Sequence, residues 1–451
     1  MTQVRTGRGG RDRRGGSAIS RSPYVQLLRM PGALAFSAAG FVGRMSMSMY
    51  GLGTVLLIAL LTGRYGMAGT VAAAGSAGYA VIGPVVAQRA DRLGQRQVLL
   101  AQTALFALGC AAFIACAELR APLWTLLTTG IIAGASMPSV GSMVRSRWSA
   151  MVGSDQRRLH TAFALESVND ELIFVIGPAL VTLLATQVAP ATGIGAAAGL
   201  CIIGTLLFAM QRGTEPGGVI RAPRPGDQVR PDPGPAGRPA ARPRPGRFRL
   251  PAAGLATLAP AFLLIGAMFS SIDLSTVAFA SELGHRAVAG LILGTFALGS
   301  AVGGLWYGSR HWEAPLGRRF TITAALTVLG VSSFWAVPGL LALDAVGFVA
   351  GLAISPTLMT GYALLDRQAP PHRRTEAMAW LSSTISVGVA AGSAFAGHII
   401  DAYGARWSFG FAAGCGAAGV LICVAGRRRL DTPAEWDTAQ VDTAESSDER
   451  R

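Results

Sequence analysis

The side chains best suited to chemistry are charges set inside apolar runs. Arg44 stands in the run that begins at Pro31, roughly 20 Å deep at ~1.5 Å per helical residue. It needs an anionic partner, because a charge at the centre of a bilayer costs at least ~2.5 kcal/mol. The run over 162–187 supplies Glu166, Asn169, Asp170 and Glu171. Glu166 and Asp170 are spaced i,i+4 and share a helix face, and Arg44 is expected to pair with Asp170 or Glu171. Such a cluster suits substrate binding or proton coupling in a polar cavity, with Arg44, Asn169, Asp170 and Glu171 as its members. It equally suits a fixed ion pair between packed helices. Asp273, flanked by Ser270, Ser271, Ser275 and Thr276, is a lone carboxyl in an apolar run and a candidate proton carrier. Asp344 and Asp401 fall near the ends of their runs and read as interfacial.

The composition says what must position these groups. The chain has 451 residues, 51% hydrophobic and 14% charged, with mean hydropathy +0.44, whereas a soluble domain carries about 25% charged residues. About 20 apolar residues cross the hydrocarbon core, and the pattern predicts twelve such helices. They lie at about 31–62, 68–90, 98–117, 122–144, 162–187 and 193–211, then 252–281, 287–309, 320–337, 341–365, 376–400 and 406–426. The domain organisation that follows is a disordered basic tail over 1–30, a six-helix bundle over 31–211, a Pro/Arg-rich linker over 212–250, a second six-helix bundle over 251–427 and a disordered tail over 428–451. The linker is too rich in Pro, Gly and Arg to build a packed core.

All 39 basic residues are arginine. Thirty-four fall on the side of the tails and linker, against four (Arg64, Arg120, Arg286 and Arg406) in the opposite loops. The positive-inside rule then predicts a multi-pass plasma-membrane protein with both termini cytoplasmic. This distribution explains the net charge of +15 without nucleic acid. The five histidines show no paired-ligand spacing, and the five cysteines lie inside apolar runs without a CxxC pair. No metal, no cofactor and no enzymatic activity are therefore expected.

The two halves repeat. Shifted by 221, Ala68, Gly69, Gly78, Ala80, Val81, Gly83 and Arg89 meet Ala289, Gly290, Gly299, Ala301, Val302, Gly304 and Arg310. At a shift of 215, Arg158, Ser167 and Gly177 meet Arg373, Ser382 and Gly392. Both halves start on the same side, so the repeat axis runs along the membrane normal.

The loop after the second helix reads Gly83-Pro-Val-Val-Ala-Gln-Arg89-Ala-Asp91-Arg92-Leu-Gly94-Gln-Arg96, with a degenerate copy from Gly304 through Arg310 to Arg319. This resembles the signature loop of the major facilitator superfamily, in a drug-efflux-like form, over nearly the whole chain outside the tails and linker. The resemblance implies an all-α integral membrane fold of twelve helices in two pseudo-symmetric bundles, working by alternating access. It implies gating roles for Gly83, Asp91, Arg92, Gly94, Arg96 and Arg310, with Gly83 allowing close helix approach and Gly94 a tight turn. Gly177-Pro178 is similar to the centre of the antiporter motif of that family, while Thr128 and Gly130 stand where its drug–proton antiporters place an arginine. The expected partners are a small amphiphilic substrate, protons and the lipid bilayer, with the protein a monomer. A polar solute such as a sugar is the alternative cargo, and a non-transporting sensor or scaffold the alternative role.

Overall fold

A computed structural model describes residues 23–153, 155–215, 252–310, 312–368, 374–427 and 430. The first half comprises α1 (Pro23–Leu28), α2 (Ala33–Thr62), α3 (Tyr65–Leu93), α4 (Gln95–Glu118), α5 (Leu123–Ser136), α6 (Val140–Val152), α7 (Gln156–Gln187) and α8 (Thr192–Met210). The second comprises α9 (Ala252–Glu282), α10 (Ala289–Gly308), α11 (Leu316–Ser332), α12 (Leu340–Gly351), α13 (Ile354–Gln368), α14 (Arg374–Tyr403) and α15 (Ala405–Ala425). No strand occurs among the described residues. Eleven stretches of these residues are long and apolar enough to cross a membrane. The 29-residue α3, packed against α2, α5 and α14, occupies the place of the remaining expected span.

Helices rather than strands follow from the solvent, since a backbone in lipid must satisfy its own hydrogen bonds. The helices at the start of each half are central: 72% of the apolar window in α2 and 78% of that in α9 are buried, against 28–44% in the other spans. Outer helices turn side chains such as Leu105, Leu108, Leu206 and Leu326 outward, as a lipid-facing surface requires.

Two spans are broken at related places. Leu123–Val152 is made of α5 and α6, parted at Met137-Pro138-Ser139; Leu340–Leu365 is made of α12 and most of α13, parted at Leu352-Ala353. Pro138 has no N–H to continue the ladder and disfavours helix at the residue before it, and Pro356 lies in the first turn of α13, where proline is tolerated. The fourth helix therefore extends past residue 144, the end expected from sequence, and takes Arg145 and Arg147 out of the connecting loop and into the span.

The repeat reappears as packing. Gly69 lies against the Ser393 carbonyl of α14, and its counterpart Gly290 lies against the Pro178 carbonyl of α7. Gly78 meets the Ile131 carbonyl of α5, and Gly299 the Phe348 carbonyl of α12. A Cβ at any of these four positions would strike the opposing backbone, so small residues set the helix separation, as is common where lipid supplies no hydrophobic drive between helices.

The halves touch at one end. α3 crosses α14 at Gly66 and Gly69, α7 crosses α10 at Val175 and Pro178, and Leu52 and Leu56 of α2 share a core cluster with Val277 and Ala280 of α9. All of these residues lie at mid-depth or in the half of the span remote from the linker. On the linker side Val81, Ile82 and Val85 of α3 are exposed, and the halves part.

Some expectations need correction. The basic tail was expected to be disordered through residue 30, but Pro23–Leu28 is helical and packs on α2 and α7 with Leu27 buried, because an apolar Val-Gln-Leu-Leu run can be covered there. The linker begins on an ordered turn, Arg212–Thr214, and Leu430 of the C-terminal segment is buried. Gly83 was expected to permit a close helix approach; nothing lies within 4 Å of where its Cβ would be, because this is the open side.

Candidate functional site

The site grows from one face of α2. Arg44, Met47 and Gly51 are spaced i, i+3, i+7 and point the same way. Met47 and Gly51 are exposed although they sit on a central helix, so this face looks into the opening between the halves. Arg44 is itself buried because side chains from two other helices cover it. Its Nη2 bonds to Glu166 Oε2, its Nη1 donates to Asp170 Oδ1 at 2.7 Å and its Nε donates to the Gly40 carbonyl at 3.1 Å. Arg145 of α6 donates to the second oxygen of Asp170 at 2.6 Å. Two arginines and two carboxylates thus compensate each other across α2, α6 and α7.

Glu166 is the best-satisfied member. It is fully buried and its Oε1 accepts from Ser37 Oγ and Trp148 Nε1, both at 2.8 Å, while Asn169 Nδ2 reaches its Oε2 at 3.4 Å and Ser37 Oγ at 3.3 Å. A buried charge survives only when its partners are this complete. Accessibility rises along the chain of ion pairs. The Asp170 side chain is 23% exposed and that of Arg145 is 40% exposed, so the end toward the opening can be reached by a solute. Two acids stand apart from the cluster. Glu171 accepts from Ser355 Oγ of α13 at 2.6 Å and so bridges the halves. Asp273 is exposed while its neighbours Ser270, Ser271, Ile272, Leu274 and Ser275 are all buried, and it has no polar partner among the described residues. It lies nine residues before the last residue of α9, Glu282, where Gly51 lies eleven before the last residue of α2, Thr62. Asp273 is therefore close to the depth of Gly51 in the other half.

Beneath this cluster Arg147 forms a separate knot. It is fully buried; Nε donates to Gln95 Oε1 at 3.0 Å, Nη1 donates to the Gln211 carbonyl at 3.1 Å and to Thr214 Oγ1 at 2.9 Å, and the guanidinium stacks 3.7 Å over Phe208. It joins α4, α6, α8 and the root of the linker.

The residues expected to gate are spread over the open side. Gly94 makes the turn between α3 and α4 with φ +91°, and the Arg96 backbone N–H donates to Glu215 Oε1 at 3.0 Å. Arg310 stacks 4.9 Å from the Trp306 ring. The side chains of Asp91 and Arg92 lie outside the described residues. Gly177 packs on Ser48 of α2 while the Pro178 carbonyl meets Gly290 of α10, which seats α7 between the two halves. Sequence reasoning omitted Glu166 from the site and assigned Arg145 and Arg147 to a loop. The i,i+4 spacing of Glu166 with Asp170 was the available signal for the first; ending the fourth helix at 144 left the other two in the loop, while the span runs to Val152.

The sequence profile of the Major Facilitator Superfamily matches residues 36–311 and 256–447. The chain belongs to the Major Facilitator Superfamily. No curated protein matches it. Among solved structures, the chain is similar to a nucleoside transporter, NupG, at TM-score 0.63 and 13% identity, covering 87% of this chain and 99% of that one. It is similar to a POT family transporter in complex with a thioalcohol-conjugated peptide at TM-score 0.65 and 14% identity, covering 91% and 100%. It is also similar to a bacterial homologue of the iron transporter ferroportin in its inward-facing state at 0.63 and 12%, covering 88% and 99%. Identities this low establish the shared fold and leave the cargo open.

Proposed function

We propose that this superfamily member is a secondary transporter that exports a small amphiphilic compound against protons by alternating access, with its termini and linker in the cytoplasm. The observation that carries the reading is Asp273, an exposed carboxyl on a central helix with no polar partner among the described residues, at the depth where Met47 and Gly51 of the other half are also exposed. A carboxyl without a fixed cation can take a proton on one side and release it on the other, while adaptable apolar side chains such as Met47 accept varied apolar cargo. The Arg44–Glu166–Asp170 cluster fixes α2 to α7 in every state, and Glu171 changes partner as the halves move.

The test is proton movement in reconstituted vesicles with a preset pH gradient. Amphiphilic compounds are expected to dissipate the gradient through wild type and to lose that effect in Asp273→Asn, with Asp170→Asn and Glu171→Gln measured beside it. Flux that persists at wild-type rate in all three variants refutes the coupling. A second reading, transport of a polar solute, is favoured by Arg145, whose side chain is 40% exposed and which, among the described residues, bonds Asp170 through Nη2 alone. Gradient dissipation by sugars or carboxylates and by no amphiphile would select it.

A further inference from the structure

We infer that Asp401 is the latch that holds the two halves together at the end remote from the linker, by capping the first turn of α3 across the interface. The inference rests on the alternating-access reading. Asp401 stands two residues before the end of α14, in the second half. Its Oδ1 accepts from the Tyr65 N–H and its Oδ2 from the Gly66 N–H, each at 2.7 Å. Tyr65 and Gly66 are the first two residues of α3, in the first half. Helix geometry leaves these N–H groups without an internal partner, and they carry the positive end of the helix dipole. One carboxylate therefore satisfies two orphan donors of the other half at once.

Among the described residues three other carboxylates accept from backbone N–H groups at helix starts, and none crosses from one half to the other. Asp155 accepts from the Arg158 N–H, Glu215 from the Arg96 N–H and Glu282 from the Ala405 N–H. Among the described residues Asp401 is the one carboxylate that caps backbone N–H groups of the other half; Glu171 crosses only to a side-chain hydroxyl, that of Ser355. Its surroundings suit a contact that opens and closes. Below it the helices meet through small residues, Gly69 against Ser393 and Gly397 against Tyr65. A Cβ on Gly66 would lie 2.8 Å from Asp401 Oδ2 and 3.4 Å from the His398 ring, so the approach is as close as glycine allows. No arginine forms a salt bridge with Asp401 among the described residues, and Asp401 is exposed. Parting the helices returns the carboxylate and both N–H groups to water at the helix ends, leaving no buried charge behind.

The sequence carries a parallel. α3 ends on Asp91-Arg-Leu-Gly94 and α14 on Asp401-Ala-Tyr-Gly404, each acid two residues before the helix end and followed by a terminating glycine. α3 and α14 run antiparallel, since Tyr65 and Gly69 of one meet Asp401 and Ser393 of the other in reverse order. The two acids thus stand at opposite ends of one helix pair, and Asp401 serves the end that is closed in this structure.

The experiment reads conformation directly. In a chain whose five native cysteines are replaced, a membrane-impermeant maleimide is applied to Ala280→Cys, buried beneath the closed end, and separately to Gly83→Cys on the open side. Asp401→Ala is expected to raise the labelling rate at Ala280→Cys by about tenfold, the size of a charge-assisted contact at a helix terminus, and to lower it at Gly83→Cys. Asp401→Asn, which keeps one acceptor oxygen and the same shape, is expected to fall between and serves if the alanine variant does not fold. Gly69→Val, which forces the helices apart whatever Asp401 does, is the control. If Gly69→Val exposes Ala280→Cys and the Asp401 variants leave it at the parent rate, the gate exists and Asp401 is not its latch. If none of the three exposes it, the halves do not separate there, and alternating access falls together with the latch.

Discussion

The buried carboxylate Glu166 gives the sharpest test of how the site is built. Glu166→Gln keeps the shape but replaces one accepting oxygen with a donor. Three donors converge on Glu166 from Ser37, Arg44 and Trp148, with Asn169 at longer reach. An amide leaves at least one donor facing another, and Arg44 is left with Asp170, which already serves Arg145. Breaking a buried ion pair by removing one partner costs about 3–5 kcal/mol, and an unmatched buried donor alone costs ~1–3 kcal/mol. The expected loss is about 3 kcal/mol, since the amide carbonyl retains part of the network. Arg44→Met in the same chain removes the charge that Glu166 neutralises, so the double variant should lose less than the sum of the two single variants by ~1 kcal/mol or more. Equilibrium unfolding by SDS titration in mixed micelles measures all three. Strict additivity, or a Glu166→Gln protein as stable as wild type, would refute the view that these helices are held by a closed ionic network.

Other expectations follow from the same geometry. Arg147→Ala should destabilise by about 3 kcal/mol, as loss of a fully buried, multiply bonded guanidinium, while Arg145→Ala, partly exposed with one partner, should cost under ~1 kcal/mol; the same SDS titration ranks them. Gly290→Val should force α10 off the Pro178 carbonyl and abolish compound-driven proton flux in vesicles while leaving the protein folded. Gly83→Ala should leave stability within ~0.5 kcal/mol, since the Cβ enters open space, and any slowing of transport would then report a closed state in which that space disappears.

Much of the fold was legible because a bilayer imposes few solutions on an apolar chain. Run lengths and the 221-residue shift carried the two halves, and of the glycines that matched at that shift Gly69, Gly78, Gly290 and Gly299 lie against opposing backbone, while Gly83 faces open space. The site was legible in part. A single arginine in an apolar run demands a carboxylate, and Asp170 supplies one. Which acids of 166, 170 and 171 face it depends on the rotation of α7 against α2, and spacing alone does not give that angle: Glu166 turns inward and Glu171 turns to the other half. Arg145 and Arg147 were hidden because a run over 122–144 is already long enough to cross a bilayer, so arginines just beyond it read as loop, while the helix in fact continues to Val152. Asp401 reads as an ordinary interfacial acid until α3 is laid beside it, more than 330 residues away in sequence.

Arg147 has a consequence for how the protein is made. Its partners come from both directions along the chain: Gln95 is synthesised before it, and Phe208, Gln211 and Thr214 more than sixty residues after it. Until the ribosome has passed Thr214, this guanidinium lacks the partners that hold it in the finished fold. The first bundle is therefore finished only when the root of the linker has been translated, and the 36 residues over 216–251 that follow give it time to close before the second bundle begins to insert. A nascent chain stopped short of Gln211 would present an unsatisfied arginine at the membrane, a mark by which quality-control proteases could tell an unfinished transporter from a complete one.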